Sequence, residues 1–332
     1  MTPSVSVILP VRDAASTLGE SLLSLRAQTL REHEVVAVDD GSVDESLALL
    51  RAFAREDSRV RVVESEARGL VSALNLGLEA ARAPLVARMD ADDIAREDRL
   101  LRQARRMGED AAIDVLGCRV SVDGATNAGM RAYVEWSNGL LHHHEIVEDL
   151  FVESPLVHPS VMVRRHVLRA LEGWRAFDGP EDYDLWFRAH AAGFRFGKLE
   201  EPLLRWRDRP MRLTRTDPRY AAPKFLALKI ENLDRLHLGA GRPLVIWGAG
   251  KIGKRWAREL QARGHRVAFF VEVDPAKIGQ RIHGAAVVTV AAGASLRGAL
   301  HLAAVGQPGA RARIRSEAAR LGLRPGDVVA VA

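Results

Sequence analysis

The sequence predicts an α/β fold built on parallel strands, and three observations carry that expectation. Short apolar runs alternate with segments of helical periodicity through the first hundred or so residues. Pro10, Asp39–Asp40 and Asp90–Asp92 stand where three of those runs end. Ligands in open α/β sheets bind beyond the carboxyl ends of the strands, so three such ends predict one shared crevice. The third observation is a Gly-x-Gly-x-x-Gly turn (Gly248, Gly250, Gly253), which follows the apolar run Pro243–Trp247 and opens a helix. Glu272 stands about twenty residues beyond it, and together they predict a smaller Rossmann-like α/β module. The expected division is 1–220, a helical linker at 221–241, and the small module at 242–332.

Taken in order, Val5–Val11 reads as a buried strand that ends at Pro10, because proline cannot continue a ladder. A helix from Ser16 carries Leu18, Leu22, Leu23 and Leu25 near helical spacing. The strand Glu34–Val38 leads into Asp39-Asp40-Gly41-Ser42, then come a helix at Glu45–Glu56, a strand at Arg59–Glu64 and a helix at Leu70–Arg82. A fourth apolar run, Pro84–Ala87, leads into Asp90, Asp92 and Asp93. Further on, the pattern predicts a helix at Arg99–Met107, a strand and turn at Ile113–Gly124, a helix at Trp136–Phe151 and a strand at His158–Arg165. Another helix starts at Glu181, and Ala222–Leu238 forms one more before Gly239 ends it.

Composition limits the classes open to the chain. With 332 residues, 47% hydrophobic and 27% charged, it is long enough for two globular domains. No run approaches the roughly 18 uncharged apolar residues of a membrane span. The N-terminus has no basic stretch ahead of its apolar run, so no secretory leader is expected. The single cysteine, Cys118, excludes an internal disulfide and a cysteine-based zinc cluster, and a cytoplasmic location fits. Charge is uneven: residues 236–332 hold 15 Lys and Arg against 5 Asp and Glu, while residues 1–235 hold 33 against 38. That asymmetry suits an anionic partner for the back half, docking of the two halves on each other, or simply a solvated arginine-rich surface. No nucleic-acid partner is expected.

The densest chemistry lies at Asp90, Asp92 and Asp93. Three carboxylates this close repel one another, and a hard divalent cation such as Mg²⁺ relieves that repulsion through oxygen ligands. The alternative is an acidic turn in which Asp92 or Asp93 caps the helix that follows. His142, His143 and His144 cannot share one helix face and make a poor metal cluster. Asp39 and Asp40 offer carboxylates to a ligand, or serve as turn residue and helix cap.

The series VSVILPV, VVAVDDGS, RGLVSALNLGLEAA and ARMDADD, in this order and spacing, resembles the GT-A glycosyltransferases of family 2, over about Pro3–Tyr220. The resemblance implies a GT-A fold with a Rossmann-like mixed sheet, and an inverting transfer of sugar from a nucleotide-diphosphate sugar to an acceptor hydroxyl. It implies nucleotide contacts at Pro10, Val11 and Asp39, with Arg68 and Asn75 as helpers. It places Mn²⁺ or Mg²⁺ on Asp92, with Asp90 on the ribose or the metal shell. It makes Asp182 the catalytic base and Glu181 its neighbour, either positioning it or binding acceptor. Arg12-Asp13 departs from the aromatic-Asn pair often found after the first strand, which bears on base contacts there. His158 stands where the family lines the acceptor pocket, or is a hydrogen-bonded structural histidine. Leu203–Tyr220 is expected to cover the diphosphate, with Arg212 or Arg215 on the anion. The implied acceptor is a surface glycan or lipid-linked saccharide, and the basic charge of the C-terminal module suits peripheral contact with the anionic inner face of a membrane. The glycine turn of 242–332 either binds a nucleotide-like ligand, through Gly248, Gly250, Gly253 and Glu272, or is structural. Two other classes remain as alternatives: a non-catalytic sugar-nucleotide-binding regulator, and an NAD(P)-dependent oxidoreductase using the glycine turn. No Tyr-x-x-x-Lys pair follows that turn to move a hydride.

Overall fold

The computed structural model describes residues 3–332 except 125–126, 210–211, 240, 294–297 and 308. It divides into two compact units, one of residues 1–146 and 154–224, the other of 147–153 and 225–332.

The first unit runs β1 (Val5–Val11), α1 (Ala15–Arg26), β2 (His33–Asp39), α2 (Ser46–Glu56), β3 (Val60–Glu64), α3 (Leu70–Ala80) and β4 (Leu85–Arg88). It continues with β5 (Ile94–Ala95), α4 (Arg99–Glu109), β6 (Val115–Asp123), α5 (Ala128–Gly139), α6 (His143–Glu148), β7 (Met162–Arg164) and α7 (Arg165–Ala170). Last come α8 (Glu181–Ala191), β8 (Phe196–Arg207) and α9 (Leu213–Thr216). Its sheet has the order β3-β2-β1-β4-β7-β6-β8-β5. The β3-β2-β1-β4 half is parallel, and β7 enters antiparallel to both β4 and β6, so the sheet is mixed as expected. The chain leaves β1 for β2 and β3 on one side and returns to β4 on the other. The ends of β1 and β4 therefore flank a topological switch point, where a crevice opens.

Apolar alternation explains the layers. All seven residues of β1 and all seven of β2 are buried, as befits strands covered on both faces. Leu18, Leu22 and Leu25 of α1 and Leu50 of α2 cover one face; α3 packs on β1 through Gly77, whose added Cβ would lie 2.5 Å from Ile8 Cγ2. Pro10 does not end β1, which pairs with β2 through Val11. Its missing N–H falls beyond the β4 ladder, which stops at Ile8–Arg88, so the sheet tolerates it.

Local readings fail at three further places for identifiable reasons. The helix expected at Trp136–Phe151 is two helices, α5 and α6, because the Glu145 carboxylate accepts the N–H groups of Leu141 and His142 and starts a new helix after Gly139. His158–Ser160 is a 3₁₀ turn with Pro159 in its first positions, and the strand begins only at Met162. Leu203–Arg207 is the end of β8, with Leu203, Leu204 and Trp206 buried; it is strand where a loose cover was expected.

The second unit takes in α10 (Ala222–Leu233) from Phe225 onward, and this helix, in the segment expected as a helical linker, buries Leu226, Leu228, Ile230 and Leu233. Lys229 Nζ on it donates to the Val152 carbonyl at 2.6 Å. β9 (Leu244–Trp247), α11 (Lys251–Ala262), β10 (Val267–Val271), β11 (Arg281–Ile282), β12 (Ala285–Val288), α12 (Val290–Gly293), β13 (Leu300–Ala303), α13 (Ala310–Arg320) and β14 (Val328–Ala330) follow. Their sheet, β11-β12-β10-β9-β13-β14, is parallel apart from β11, with β9 at its centre. Among the described residues, no helix is long and apolar enough to cross a membrane.

Candidate active site

The loops after β1 and β2 are tied to each other. Asp13, at φ 47°, accepts the Val43 N–H at 2.8 Å and donates its own N–H to Ser42 Oγ. Asp40 is an anchor: its carboxylate accepts from the N–H groups of Arg68 and Gly69 at 2.9 and 2.8 Å, fixing the start of α3. Asp39 differs from it. Only 2% exposed, it accepts the Ser42 N–H through Oδ2, while Oδ1 is buried with no hydrogen-bond partner among the described residues. Such an atom is costly to bury unless something donates to it.

The helpers expected beside it are engaged elsewhere. The Arg68 guanidinium is exposed and pairs with Glu66 at 2.9 Å. Asn75 clamps the chain at Trp174, donating to its carbonyl at 2.8 Å and accepting its N–H at 3.0 Å. Both amide groups of Asn75 are thereby used.

Beyond β4, one oxygen each from Asp90, Asp92 and Asp93 lie within 4.8 Å of one another. Neither Asp92 nor Asp93 caps the next helix, since β5 intervenes and Asp98 stands at the cap position of α4. Asp93 is 1% exposed; Oδ1 accepts the Arg207 N–H at 2.9 Å, and Oδ2 has no partner among the described residues. Burial, then the charges of Asp90 and Asp92, pushes its carboxyl well above the usual range. Burial and Asp90 raise Asp92 as well, against the opposing pull of Arg212 and Arg209. A divalent cation fits this donor set, since it would satisfy the orphaned oxygen and remove the mutual repulsion. Asp90 also pairs with Arg88 at 2.6 Å.

On the other side stands the start of α8. Glu181, 3% exposed, has both oxygens engaged. Tyr220 donates its hydroxyl to Oε2 at 2.5 Å, and His158 Nδ1 lies 3.5 Å from Oε1. The Trp174 indole N–H donates to His158 Nε2 at 3.0 Å, so that nitrogen is the acceptor and the ring proton sits on Nδ1, toward Glu181. Burial favours the neutral acid at Glu181, yet the bonds from His158 and Tyr220 hold its carboxyl below the ordinary value. Burial and nearby Arg88 push the His158 imidazolium down. Asp182 is half-buried and accepts the N–H of Tyr183 at 2.8 Å.

Two buried groups join these sides. The Arg88 guanidinium, opposed by its burial, keeps its proton through Asp90 first, then Glu181 and Asp93; His158 feels Arg88, Glu181 and Asp90. The aspartates beyond β4 and the start of α8 thus border one charged cluster. Sequence reasoning passed over Arg88, although a charge inside the apolar stretch PLVARM was a signal.

Residues 6–172 match the sequence profile of glycosyl transferase family 2, half of the chain. The chain belongs to that family. It is a glycosyltransferase. EpsE of Bacillus subtilis (strain 168), to which glycosyltransferase activity is attributed, is 28% identical over 214 residues, covering 62% of this chain and 73% of EpsE. An uncharacterized glycosyltransferase of Haemophilus influenzae is 27% identical, covering 62% of this chain and 65% of its own. Among solved structures, TarS 1-349 of S. aureus in complex with UDP-GlcNAc matches at TM-score 0.56 and 20% identity, over 70% of this chain and 67% of that one. The mannosyltransferase PcManGT of Pyrobaculum calidifontis, in complex with GDP-Man and Mn²⁺, matches at TM-score 0.52 and 18% identity, over 98% of this chain and 82% of that one. These likenesses establish the GT-A fold of the glycosyltransferase.

The segment after β8 brings further cations near Asp92. Arg209 reaches Thr17 Oγ1 and Ser16 Oγ, both at 3.3 Å. Arg212 stacks on Trp206 at 4.0 Å, and Arg215 pairs with the buried Asp208 at 2.7 Å. The histidine run makes no ligand cluster: His142 and His144 stack on each other, while His143 accepts the Phe196 N–H.

The glycine turn of the second unit is closed by its own acid. Gly248 has φ 103°, and a Cβ on Gly253 would lie 2.0 Å from the Gly248 carbonyl oxygen, so the turn and α11 pack too tightly for a side chain. Glu272 accepts the N–H groups of Ala249 at 3.0 Å and Val273 at 2.9 Å, with Lys277 Nζ at 3.4 Å. Gly250 caps α11 without side-chain help. The expected ligand acid is engaged by the loop itself.

Proposed function

We propose that this glycosyltransferase moves a sugar from a nucleotide-diphosphate sugar to an acceptor hydroxyl with inversion at the anomeric carbon. The aspartate cluster carries the reading: three carboxylates lie beyond the strand at the switch point, and one of them, Asp93, has an orphaned buried oxygen and a carboxyl raised by burial and then by the charges of the other two. Asp92, with Asp90, holds Mn²⁺ or Mg²⁺ against the diphosphate; when bound, such an ion supplies the positive charge that a departing nucleotide needs. Asp39 offers Oδ1 to the base or ribose of the donor, beside Pro10 and Val11, and Arg212 and Arg209 add positive charge on the diphosphate side. Asp182 takes the proton from the acceptor hydroxyl as its oxygen attacks the anomeric carbon, and no covalent intermediate is needed. UDP-GlcNAc and GDP-Man, bound by the TarS and PcManGT structures, define the donor class to test first.

The acceptor is read as a surface glycan or lipid-linked saccharide, reached from the cytoplasmic side. The basic residues of 242–332 make the contact with anionic membrane. Salt-sensitive sedimentation with anionic vesicles tests that contact, and sedimentation absent at every salt concentration would remove it. The transfer reaction is read as residing in residues 1–220, with 242–332 as an accessory module. A thermal-shift panel of nucleotide sugars with and without Mn²⁺ tests the whole reading; a donor-specific shift that requires the ion supports it, and no shift with any donor contradicts it.

A further inference from the structure

We infer that Glu181 is an anchor rather than a proton acceptor, and that Tyr220 is the positioning residue which, through it, holds the arginine-bearing segment after β8 in place. The inference rests on the donor reading above and adds a role for a residue outside the matched family region, which ends at residue 172. Both Glu181 oxygens are engaged, by Tyr220 and by the His158 ring that Trp174 orients, and these donors stabilise the ionised carboxylate and make it a poor acceptor of a proton. The Tyr220–Glu181 bond is short and charge-assisted, the stronger class of hydrogen bond. Burial and the Glu181 charge also keep the phenol protonated, so that it always donates.

From Tyr220 back to Arg212 the backbone is one series of short hydrogen bonds. Tyr220 N–H donates to the Asp217 carbonyl at 3.1 Å, Asp217 N–H to Leu213 at 2.9 Å, and Arg215 N–H to Arg212 at 2.8 Å. Asp217 also caps the turn Pro218–Tyr220 by accepting the Arg219 N–H at 2.9 Å. A pin at Tyr220 is therefore transmitted to α9 and to Arg212, one of the two cations that bear on Asp92. At the other end the same segment continues from β8, whose Arg207 N–H binds Asp93. One end of the segment is fastened on the aspartate side of the site and the other on the α8 side.

The test has two arms on the full-length protein. In the ligand-free protein, hydrogen exchange of Thr216, Asp217 and Tyr220 amides is compared between wild type and Tyr220→Phe; about tenfold faster exchange is expected, confined to that segment. Unchanged exchange there overturns the inference. In the second arm, Tyr220→Phe is expected to raise the nucleotide-sugar KM about tenfold, well beyond any fall in kcat, and to add under about twofold when Arg212 is already Ala. A lower melting midpoint with KM unchanged, or KM effects that multiply in the double variant, would show a structural role alone and overturn it. Should Tyr220→Phe fail to fold, Glu181→Gln weakens the same bond from the other side and must give the same KM rise. If the wild type transfers no sugar from any donor, the functional reading fails, and the exchange arm still decides the anchor.

Discussion

The two sheets present acids in the same topological place and treat them in opposite ways. At the switch point of the first unit, Asp39 and Asp93 each keep a buried oxygen with no partner among the described residues, and Asp90 and Asp92 crowd beside them. In the second unit, at the end of β10 beside the central strand, Glu272 is held by backbone N–H groups and by Lys277, and its carboxyl lies below the usual range despite the burial that opposes this. Under-satisfied buried acids cost stability and mark a place prepared for a charge that the chain does not supply. Saturated acids mark a place where the fold has finished its own bonding. This contrast supports the proposed reading of the first crevice as the reaction site, and it gives the glycine turn of the second unit an acid already bonded within its own loop.

Removing the cation should break the comparison hardest. Chelation is expected to lower sugar transfer by about a thousandfold, with recovery on adding Mn²⁺ or Mg²⁺, in an assay of nucleotide release. Next in size is Gly253→Ala, where the new methyl meets backbone at 2.0 Å. It should destabilise the second unit by about 3 kcal/mol in chemical denaturation. The third prediction sets the two acids against each other. In ion-free buffer at pH 7, Asp93→Asn should stabilise the protein by about 1 kcal/mol, since it removes an acid whose ionised form burial and its neighbours disfavour, and keeps the bond to Arg207. Glu272→Gln should destabilise by about 1–2 kcal/mol, because an amide satisfies the turn poorly. Equal signs for the two would refute the contrast.

The smallest effect concerns acid stability. Asp98 is held down to about 2 by its bond with Arg96, against burial and with help from Arg102. A carboxyl lowered on folding contributes stability above its unfolded value of 3.8 and loses it as pH falls toward 2. Asp98→Asn should therefore flatten the melting-midpoint curve between about pH 4 and pH 2 and lower the plateau above it.

Much of this was legible in the chain. Strand-helix alternation and acids at run ends gave the first sheet and the crevice, because period and turn chemistry are local properties. What escaped were contacts between distant residues. Asn75 reads as a polar helix residue open to a ligand, yet its partner is the backbone of Trp174, 99 positions away. Tyr220 reads as the end of the stretch expected to cover the diphosphate, and its bond to Glu181 spans 39 positions. Glu272 sits at the ligand-acid spacing, but no spacing tells whether the loop will claim the carboxylate. The split between α5 and α6 was within reach, since Gly139 and Glu145 are a stop and a cap.

The central claim is a division of labour between Asp92 and Asp182 in one crevice. Its most direct measurement is a donor-binding titration with Mn²⁺ alongside single-turnover transfer, for wild type, Asp92→Asn and Asp182→Asn. The account predicts that Asp92→Asn loses ion-dependent donor binding, while Asp182→Asn binds donor within about threefold of wild type yet transfers sugar at least about a thousandfold more slowly. Donor binding lost with Asp182→Asn, or ion-dependent binding kept with Asp92→Asn, would contradict it.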